Sequence, residues 1–514
     1  MPTTSCDVLV VGAGPGGLAT ALSAARHGAR VLVVERRPGT STRPRATGIN
    51  TRTMEILRTW GLARAVRRRA VVVDPDTATA ATFVAPPRST GRVGGYPSLR
   101  DVLRASPVLP LACPQDLVEP LLADAVRHHG GEIRFGSRLA SLRTTPDGGC
   151  AELISGHQLG TGQRVHARFV VGADGTRSAV RATLGIGVTH LGTWAEAVQV
   201  LFRPVPAGRL GDVPRMLTFV DEPQPAALTP MGLGRWAYVP LRFDGGRPAV
   251  PAEGWTPTLR AATGIPDLEI DVLDVQQITL AATVATSYRA GPGFLVGDAA
   301  HRTTPVGGVG LNHAVHDGHE LGWKLAWVAR GLAGDALLDS HDAERGPVGL
   351  AVATRSLDTA DRPDDGLASD LGRTHRSSVI IHDNAETPPP ARMDLAARPG
   401  ERAPHVWVRH AGRQKSTVDL FDGRLTLVTG PDGAGWTHGV VPDVPLQVLV
   451  ADRDLQGASL TRAYRLGPRS AVLVRPDGRV AWRHDGRCAQ PGPVLAEAVA
   501  TALGHGTVPA ALAG

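Results

Sequence analysis

Lysine is almost missing from this sequence: Lys324 and Lys415 are the only two in 514 residues. The positive charge is therefore arginine, spread along the chain rather than gathered in a basic run with interleaved aromatics. With a net charge of +7, that distribution argues against a nucleic-acid partner and reflects coding bias. Cysteine is scarce too. Cys6, Cys113, Cys150 and Cys488 stand far apart with no CxxC pair, so neither a zinc site nor a disulfide framework is implied. Aromatic residues make up 4% of the chain, so a large pocket would be lined mainly by aliphatic and small side chains. The uncharged run from Val8 to Ala25 is interrupted by Pro15 and a glycine cluster, and Asp7 stands where a signal peptide carries basic residues. It reads as strand and helix, and a cytoplasmic chain without membrane association is expected. A hydrophobic fraction of 42% suits two or three ordinary globular domains.

What is present is a set of dinucleotide contacts. GAGPGG at 12–17 follows the apolar run Val8–Val11 and opens a small-residue helix. In that context Gly12 permits a tight turn, Gly14 lets backbone approach a pyrophosphate, and Gly17 lets helix pack on strand. The second strand, Arg30–Val34, ends at Glu35, placed to accept hydrogen bonds from a ribose. Arg36 and Arg45 follow closely, and Arg45 is positioned to lie against a flat ligand.

GADGTRSAVR at 172–181 puts Asp174 in a turn between strand and helix. GDAAH at 297–301 puts Asp298 at another strand end, within reach of a ribityl chain. Pro305 and Gly307-Gly308 form a loop that brings backbone near the ligand. Gly310 and Leu311 follow, and Asn312 begins a helix whose apolar positions Val315, Leu321, Leu325, Val328 and Leu332 fit a 3.6-residue period. Its positive end suits the anionic charge of a reduced flavin. Gln115 opens a further helix and can reach the ribityl chain. His313, His316 and His319 recur every third residue and drift about 120° around a helix, so they do not converge on a metal ion.

An α/β unit over 1–385 is expected, interrupted at about 188–285 by an antiparallel sheet. Residues 70–110 are Pro/Gly/Thr-rich with little periodicity. A linker over 386–399 leads to a separate small α/β unit at 400–514. Since every cofactor motif lies upstream, that tail is expected to be separable. Trp194, Met231, Trp236 and Tyr238 on the inserted sheet are the candidate substrate contacts.

Together these motifs resemble the FAD-dependent aromatic hydroxylases, the single-component group typified by para-hydroxybenzoate hydroxylase. PRATGINTRTMEILRTWGL (44–62), RPGERAPHVWV (398–408), STVDLFDGRLTLVTG (416–430) and VLVRPDGRVAWR (472–483) resemble the subgroup that tailors aromatic polyketides and carries a thioredoxin-like tail. The resemblance implies tight, non-covalent FAD contacted by Gly12, Gly14, Gly17, Glu35, Arg36, Arg45, Gln115, Asp174, Asp298, Gly310, Leu311 and Asn312. Arg45, Pro305 and Asn312 would serve the reaction. It further implies transient NADPH or NADH, O2, a small aromatic substrate and a flavin hydroperoxide that hydroxylates it, in a monomer or homodimer. A Baeyer–Villiger or ring-opening oxygenase is the alternative, and a non-catalytic flavoprotein a distant third. Asn312-His313-Ala314 stands where the family usually has Asn-Thr-Gly.

Overall fold

The computed structural model describes residues 3–92, 97–155, 162–211, 213–241, 253–358, 366–382, 395–438 and 444–505. Thr3–Val11 runs parallel to both Gln163–Gly172 and Val31–Glu35, and Glu132–Phe135 and Gly293–Leu295 extend the sheet on either side. Val8, Leu9 and Val10 have no exposed surface, as a strand covered on both faces requires. The Pro15–Arg26 helix covers one face and packs against the Gly310–Ala329 helix. Their closeness depends on glycine. A Cβ on Gly318 would stand 2.6 Å from the Gly16 carbonyl oxygen, and one on Gly322 would stand 2.6 Å from that of Thr20. The two parallel strands ending at Glu35 and Gly172 thus deliver their C-terminal ends to one crevice, where α/β sheets bind ligands.

The second sheet has the order His301–Arg302, Glu269–Ala285, Val188–Val205, Trp236–Pro240, Ala226–Pro230, Arg215–Val220, Asp74–Ala80 and Ser89–Arg92. Two features correct the reading from sequence. The insertion recruits strands from the aperiodic 70–110 stretch, and Asp74–Ala80 joins Arg215–Val220 in parallel. Sequence periodicity missed that strand because its residues are Asp, Pro, Thr and Ala, held by pairing rather than by a hydrophobic face. The Trp255–Thr263 helix covers one side, where Val200, Phe202, Leu228, Trp236, Tyr238 and Trp255 form a core.

In the tail, Leu446–Val450 and Leu425–Thr429 pair in parallel, and Leu425–Thr429, Ala471–Val474 and Val480–His484 continue antiparallel. The Pro491–Ala502 helix follows this four-stranded mixed sheet and completes a small α/β unit. Residues 386–394 of the expected linker lie outside the described residues, and Ala396 and Ala397 beyond them are buried. The tail is not a detachable appendage. Leu425, Leu427, Trp436, Leu473 and Trp482 share one hydrophobic core with Trp323, Trp327 and Leu337 of the larger unit. Buried polar contacts cross the same boundary: Glu344 pairs with Arg475 at 2.6 Å, Glu55 pairs with Arg402, and Trp323 Nε1 donates a hydrogen bond to Asp477 at 3.1 Å. Lys324, fully buried, also pairs with Glu344 at 2.9 Å.

Candidate active site

The three glycines of the first loop meet different surroundings. Gly12 has φ +108°, and a Cβ there would lie 2.3 Å from the Ala173 carbonyl oxygen. A Cβ on Gly17 would lie 2.0 Å from the Gly12 carbonyl oxygen, whereas one on Gly14 would meet nothing within 4 Å. Gly12 and Gly17 are thus required by the protein itself, and Gly14 borders open space. The helix that follows has no side-chain N-cap, so its first N–H groups remain available to an anion. Glu35 is buried at the end of its strand. It accepts from Ala13 N at 2.9 Å and from Arg37 N and Nε at 3.0 and 2.9 Å. Both Arg37 bonds go to Oε1, so it is Oε2 that keeps a lone pair for a ribose hydroxyl. Burial raises the Glu35 carboxyl, but the Arg37 and Ala13 hydrogen bonds outweigh it and hold the group low. Arg36 is exposed, and the pairing with Glu35 falls to Arg37.

Asp174 is a correction. Its carboxylate accepts from the Ser178 hydroxyl and from Ala179 N and Val180 N at 2.7 and 3.2 Å, so it caps the Ala179–Thr183 helix. The turn still serves the site through its backbone, which abuts Gly12. Asp298 is different: the structure shows no hydrogen-bond partner for it among the described residues, and it is solvent-accessible at the end of a buried strand. The surrounding protein pushes its carboxyl above the ordinary range, against the pull of His301, Arg45 and Arg302. Its carboxylate therefore has acceptor capacity not taken up by the described residues.

Beneath Asp298 lies a group that sequence reasoning missed. Asp317 accepts from Gly297 N at 2.9 Å, from His301 Nε2 at 2.7 Å and from Arg345 Nε at 2.7 Å. These bonds and charges hold its carboxyl far below the usual range despite complete burial. The loop carrying Asp298 is thereby clamped to two helices. The only sequence hint was an aspartate on a helix otherwise read by its apolar period.

Pro305 is exposed, and Gly307 and Gly308 follow with φ +79° and +61°. Gly310 and Leu311 then start the Gly310–Ala329 helix, which again lacks a side-chain cap. Asn312 is the second correction. Its Oδ1 accepts from Asn50 N at 2.9 Å, and its Nδ2 donates to Gly48 O and Gly308 O at 2.9 and 2.8 Å. The side chain is spent holding the helix start in place, so its part is positioning rather than direct chemistry. Gln115 likewise donates to Glu119 at 2.6 Å. Glu119, also missed, is fully buried and accepts from Ser41 N at 2.7 Å. Its place one helical turn beyond Gln115 was the available signal. Arg45 is exposed, and its charge opposes the rise that burial imposes on the carboxyls of Glu119 and Asp298.

The sheet register decides which side chains face this cleft. Trp236 pairs with Phe202, and Tyr238 pairs with Val200 and Leu228, all on the face covered by the Trp255–Thr263 helix. Trp236 and Tyr238 are therefore core residues and not substrate contacts. The opposite face presents Leu201, Ala237 and Thr229 in one row and Gln199, Val239, Ala227 and Phe219 in the next. Asp274 and Gln276 extend these rows. Arg43 Nε reaches Asp274 at 3.1 Å, which turns this face toward the 36–47 segment beside the nucleotide loop. Met231 is buried in a turn that docks through Arg235 onto Asp116 at 2.8 Å. Trp194 is half-buried at a register shift.

The histidines are buried and separately employed. His316 shares a hydrogen bond with Thr53 at 3.1 Å, His319 packs against Trp60, and His313 lies 3.5 Å from Arg345. Burial drives all three below the ordinary histidine range, so they stay neutral. Glu320, Glu344 and His375 bring ligand atoms within 4.8 Å of one another. Lys324, Arg475 and Arg479 already neutralise those carboxylates.

A glycine loop ahead of an uncapped helix, with a buried glutamate at the end of the neighbouring parallel strand, defines a dinucleotide-binding fold. The model described as FAD binding domain matches residues 5–356, and that described as aromatic-ring hydroxylase, C-terminal, matches residues 396–506. The chain belongs to the FAD-dependent aromatic-ring hydroxylases. It is 36% identical to tetracenomycin B2 monooxygenase-dioxygenase of Streptomyces olivaceus, over 96% of this chain and 98% of that protein. It is 37% identical to aklavinone 12-hydroxylase RdmE of Streptomyces purpurascens, over 95% and 97%. A solved aklavinone-11 hydroxylase, in complex with FAD and aklavinone, superimposes with a TM-score of 0.87 at 34% identity, covering 98% of this chain and 100% of that one. The protein is accordingly an FAD-dependent monooxygenase.

Proposed function

We propose that this monooxygenase hydroxylates a polycyclic aromatic polyketide, using FAD, O2 and NADPH or NADH, in the cytoplasm and as a monomer or homodimer. The carrying observation is the sheet face opposite the Trp255–Thr263 helix, where the partly exposed Leu201, Ala227 and Val239 make a mostly apolar surface. It suits a flat multi-ring ligand, the kind of molecule named for several relatives. Bound FAD, once reduced by a nicotinamide, activates O2 for transfer of one oxygen atom to an electron-rich ring.

The chain's own residues bind, orient and exclude water. Gly14 and the uncapped Pro15–Arg26 helix receive the pyrophosphate, Glu35 the adenosine ribose and Asp298 the ribityl chain. The uncapped start of the Gly310–Ala329 helix would stabilise negative charge on a bound cofactor. Asn312 and Asp317 keep those elements in register. Arg45 is an exposed cation whose charge reaches Asp298, and Gln199, Gln276 and Asp274 offer a polar edge to substrate oxygens.

The test is NADPH oxidation by the yellow holoenzyme with a panel of polycyclic phenols under labelled O2. Acceleration by substrate and one labelled oxygen on a ring carbon of an intact skeleton are expected. Label in a lactone or cleaved ring would move the assignment to Baeyer–Villiger chemistry. Label entering only from water, without oxygen uptake, would end the monooxygenase reading.

A further inference from the structure

We propose that Asp370 is a positioning residue for the flavin site, setting the start of the Gly310–Ala329 helix through Asn50 and Asn312, on the reading that this helix start faces bound FAD. Three side chains form one line of hydrogen bonds. Asp370 Oδ1 accepts from Asn50 Nδ2 at 2.7 Å. Asn50 Oδ1 accepts from Thr53 N at 2.9 Å and so caps the Thr51–Thr59 helix, while the Asn50 backbone N–H donates to Asn312 Oδ1 at 2.9 Å. Asn312 Nδ2 then ties Gly48 O and Gly308 O, the second of them in the loop that leads into the Gly310–Ala329 helix.

Neither amide can turn over. A reversed Asn50 would set N–H against the Thr53 N–H. A reversed Asn312 would set N–H against the Asn50 N–H and its oxygen against two carbonyls. Asn50 Nδ2 therefore needs an acceptor, and Asp370 is the one the structure gives it. Asp370 is itself held in place. Its Gly366–Leu371 helix packs Leu367 and Leu371 against Val102 and Ala105, and its carboxylate also accepts from Thr51 N.

Charge makes this line adjustable. Burial pushes the Asp370 carboxyl up to about 7, against the Asn50 and Thr51 hydrogen bonds and the charge of Arg373. Glu55 on the Thr51–Thr59 helix adds to the rise, although Arg52 and Arg402 pair with it. His313 and His316 near the helix start stay neutral, and Arg100, Asp101 and Arg104 on the Leu99–Ala105 helix are exposed. An ionised carboxylate accepts a bond roughly twice as strong as a neutral acid does. Asn50, and with it Asn312, is thus held firmly above pH 7 and more loosely below, and FAD binding favours the ionised form.

FAD fluorescence titrated with the full-length protein between pH 6 and 8.5 reads this directly. The dissociation constant should fall by about three- to tenfold as pH rises through 7. Asp370→Asn keeps an acceptor without the charge, so it should bind FAD at pH 6 as the unaltered protein does and lack the gain at pH 8. A flat profile in the unaltered protein, or an inflection near pH 7 that survives in Asp370→Asn, overturns the role. Should that variant fail to fold, Asn50→Ser decides: serine still caps the helix but drops the Nδ2 donor, and should flatten the profile. An inflection that persists in Asn50→Ser overturns the role equally. Absence of FAD binding at every pH would instead remove the cofactor assignment on which the role rests.

Discussion

Single residues separate binding from folding at this site. Gly14→Val places its side chain in open space, so the protein should fold and melt normally yet lose FAD. Gly17→Val drives side chain into the Gly12 carbonyl and should cost the fold itself. Circular dichroism melts beside flavin absorbance after gel filtration distinguish the two; matching behaviour would mean Gly14 does not border the pyrophosphate. Asp298→Ala should weaken FAD by about 1.5–3 kcal/mol, or roughly 10- to 150-fold. Asp174→Ala instead removes a helix cap and should lower stability by about 1 kcal/mol, with FAD titrations on the folded protein unchanged. Equal losses of affinity at both positions would return Asp174 to the list of cofactor contacts. These residues show what a sequence can reveal. A glycine or aspartate after an apolar strand is legible because the motif is local. Whether its carboxylate meets a ligand or a helix end depends on groups such as Ser178 that any reading must choose between.

Among elements, the Gly310–Ala329 helix was the best placed from sequence and the least understood. Its apolar period and starting residue are plain, yet every residue from Leu311 to Val328 is buried, including the polar side. The reason is that Asp317, Glu320 and Lys324 find partners on the Ala336–Arg355 helix and in the tail, at separations no period can show. Asp317→Ala would strand Arg345 and His301 in the interior and should cost about 3–5 kcal/mol, read from urea denaturation. Asp317→Asn keeps an acceptor for Gly297 N and should lose less. Equal losses for the two would indicate that charge alone, rather than the Gly297 bond, carries the clamp. The sheet has the opposite history. Its strands were legible by alternation, but alternation does not say which face meets the cleft. Trp236 and Tyr238, the conspicuous residues, took the covered side.

For the whole molecule, the boundary near residue 396 is visible in composition, but the joint across it is not. Removing the tail uncovers Trp323 and Trp327 and leaves Glu55 and Glu344 without Arg402 and Arg475. A chain ending at 395 should therefore aggregate or emerge without FAD; a monodisperse yellow truncation on gel filtration would show the tail to be dispensable. Acid should act early. Burial lowers His341, His375 and His405 to about 4 and His319 to about 3. Between pH 6.5 and about 4 the unfolded chain takes up protons that the folded one refuses, so stability falls as pH drops through that window. The lowered carboxyls of Asp317 and Glu344 add their loss at lower pH still. The melting temperature should already decline between pH 6.5 and 5; a flat profile there would mean these rings are protonated in the native state.

The two lysines have a practical corollary. Lys324 is sealed inside the joint, with no exposed surface, while Lys415 stands half-buried on the Arg413–Ser416 strand of the tail. An amine-reactive dye or surface coupling thus has one accessible side chain on the native protein, and that side chain lies on the tail rather than the flavin unit. Coupling confined to that side chain would leave every residue assigned to the cofactor untouched by the reagent.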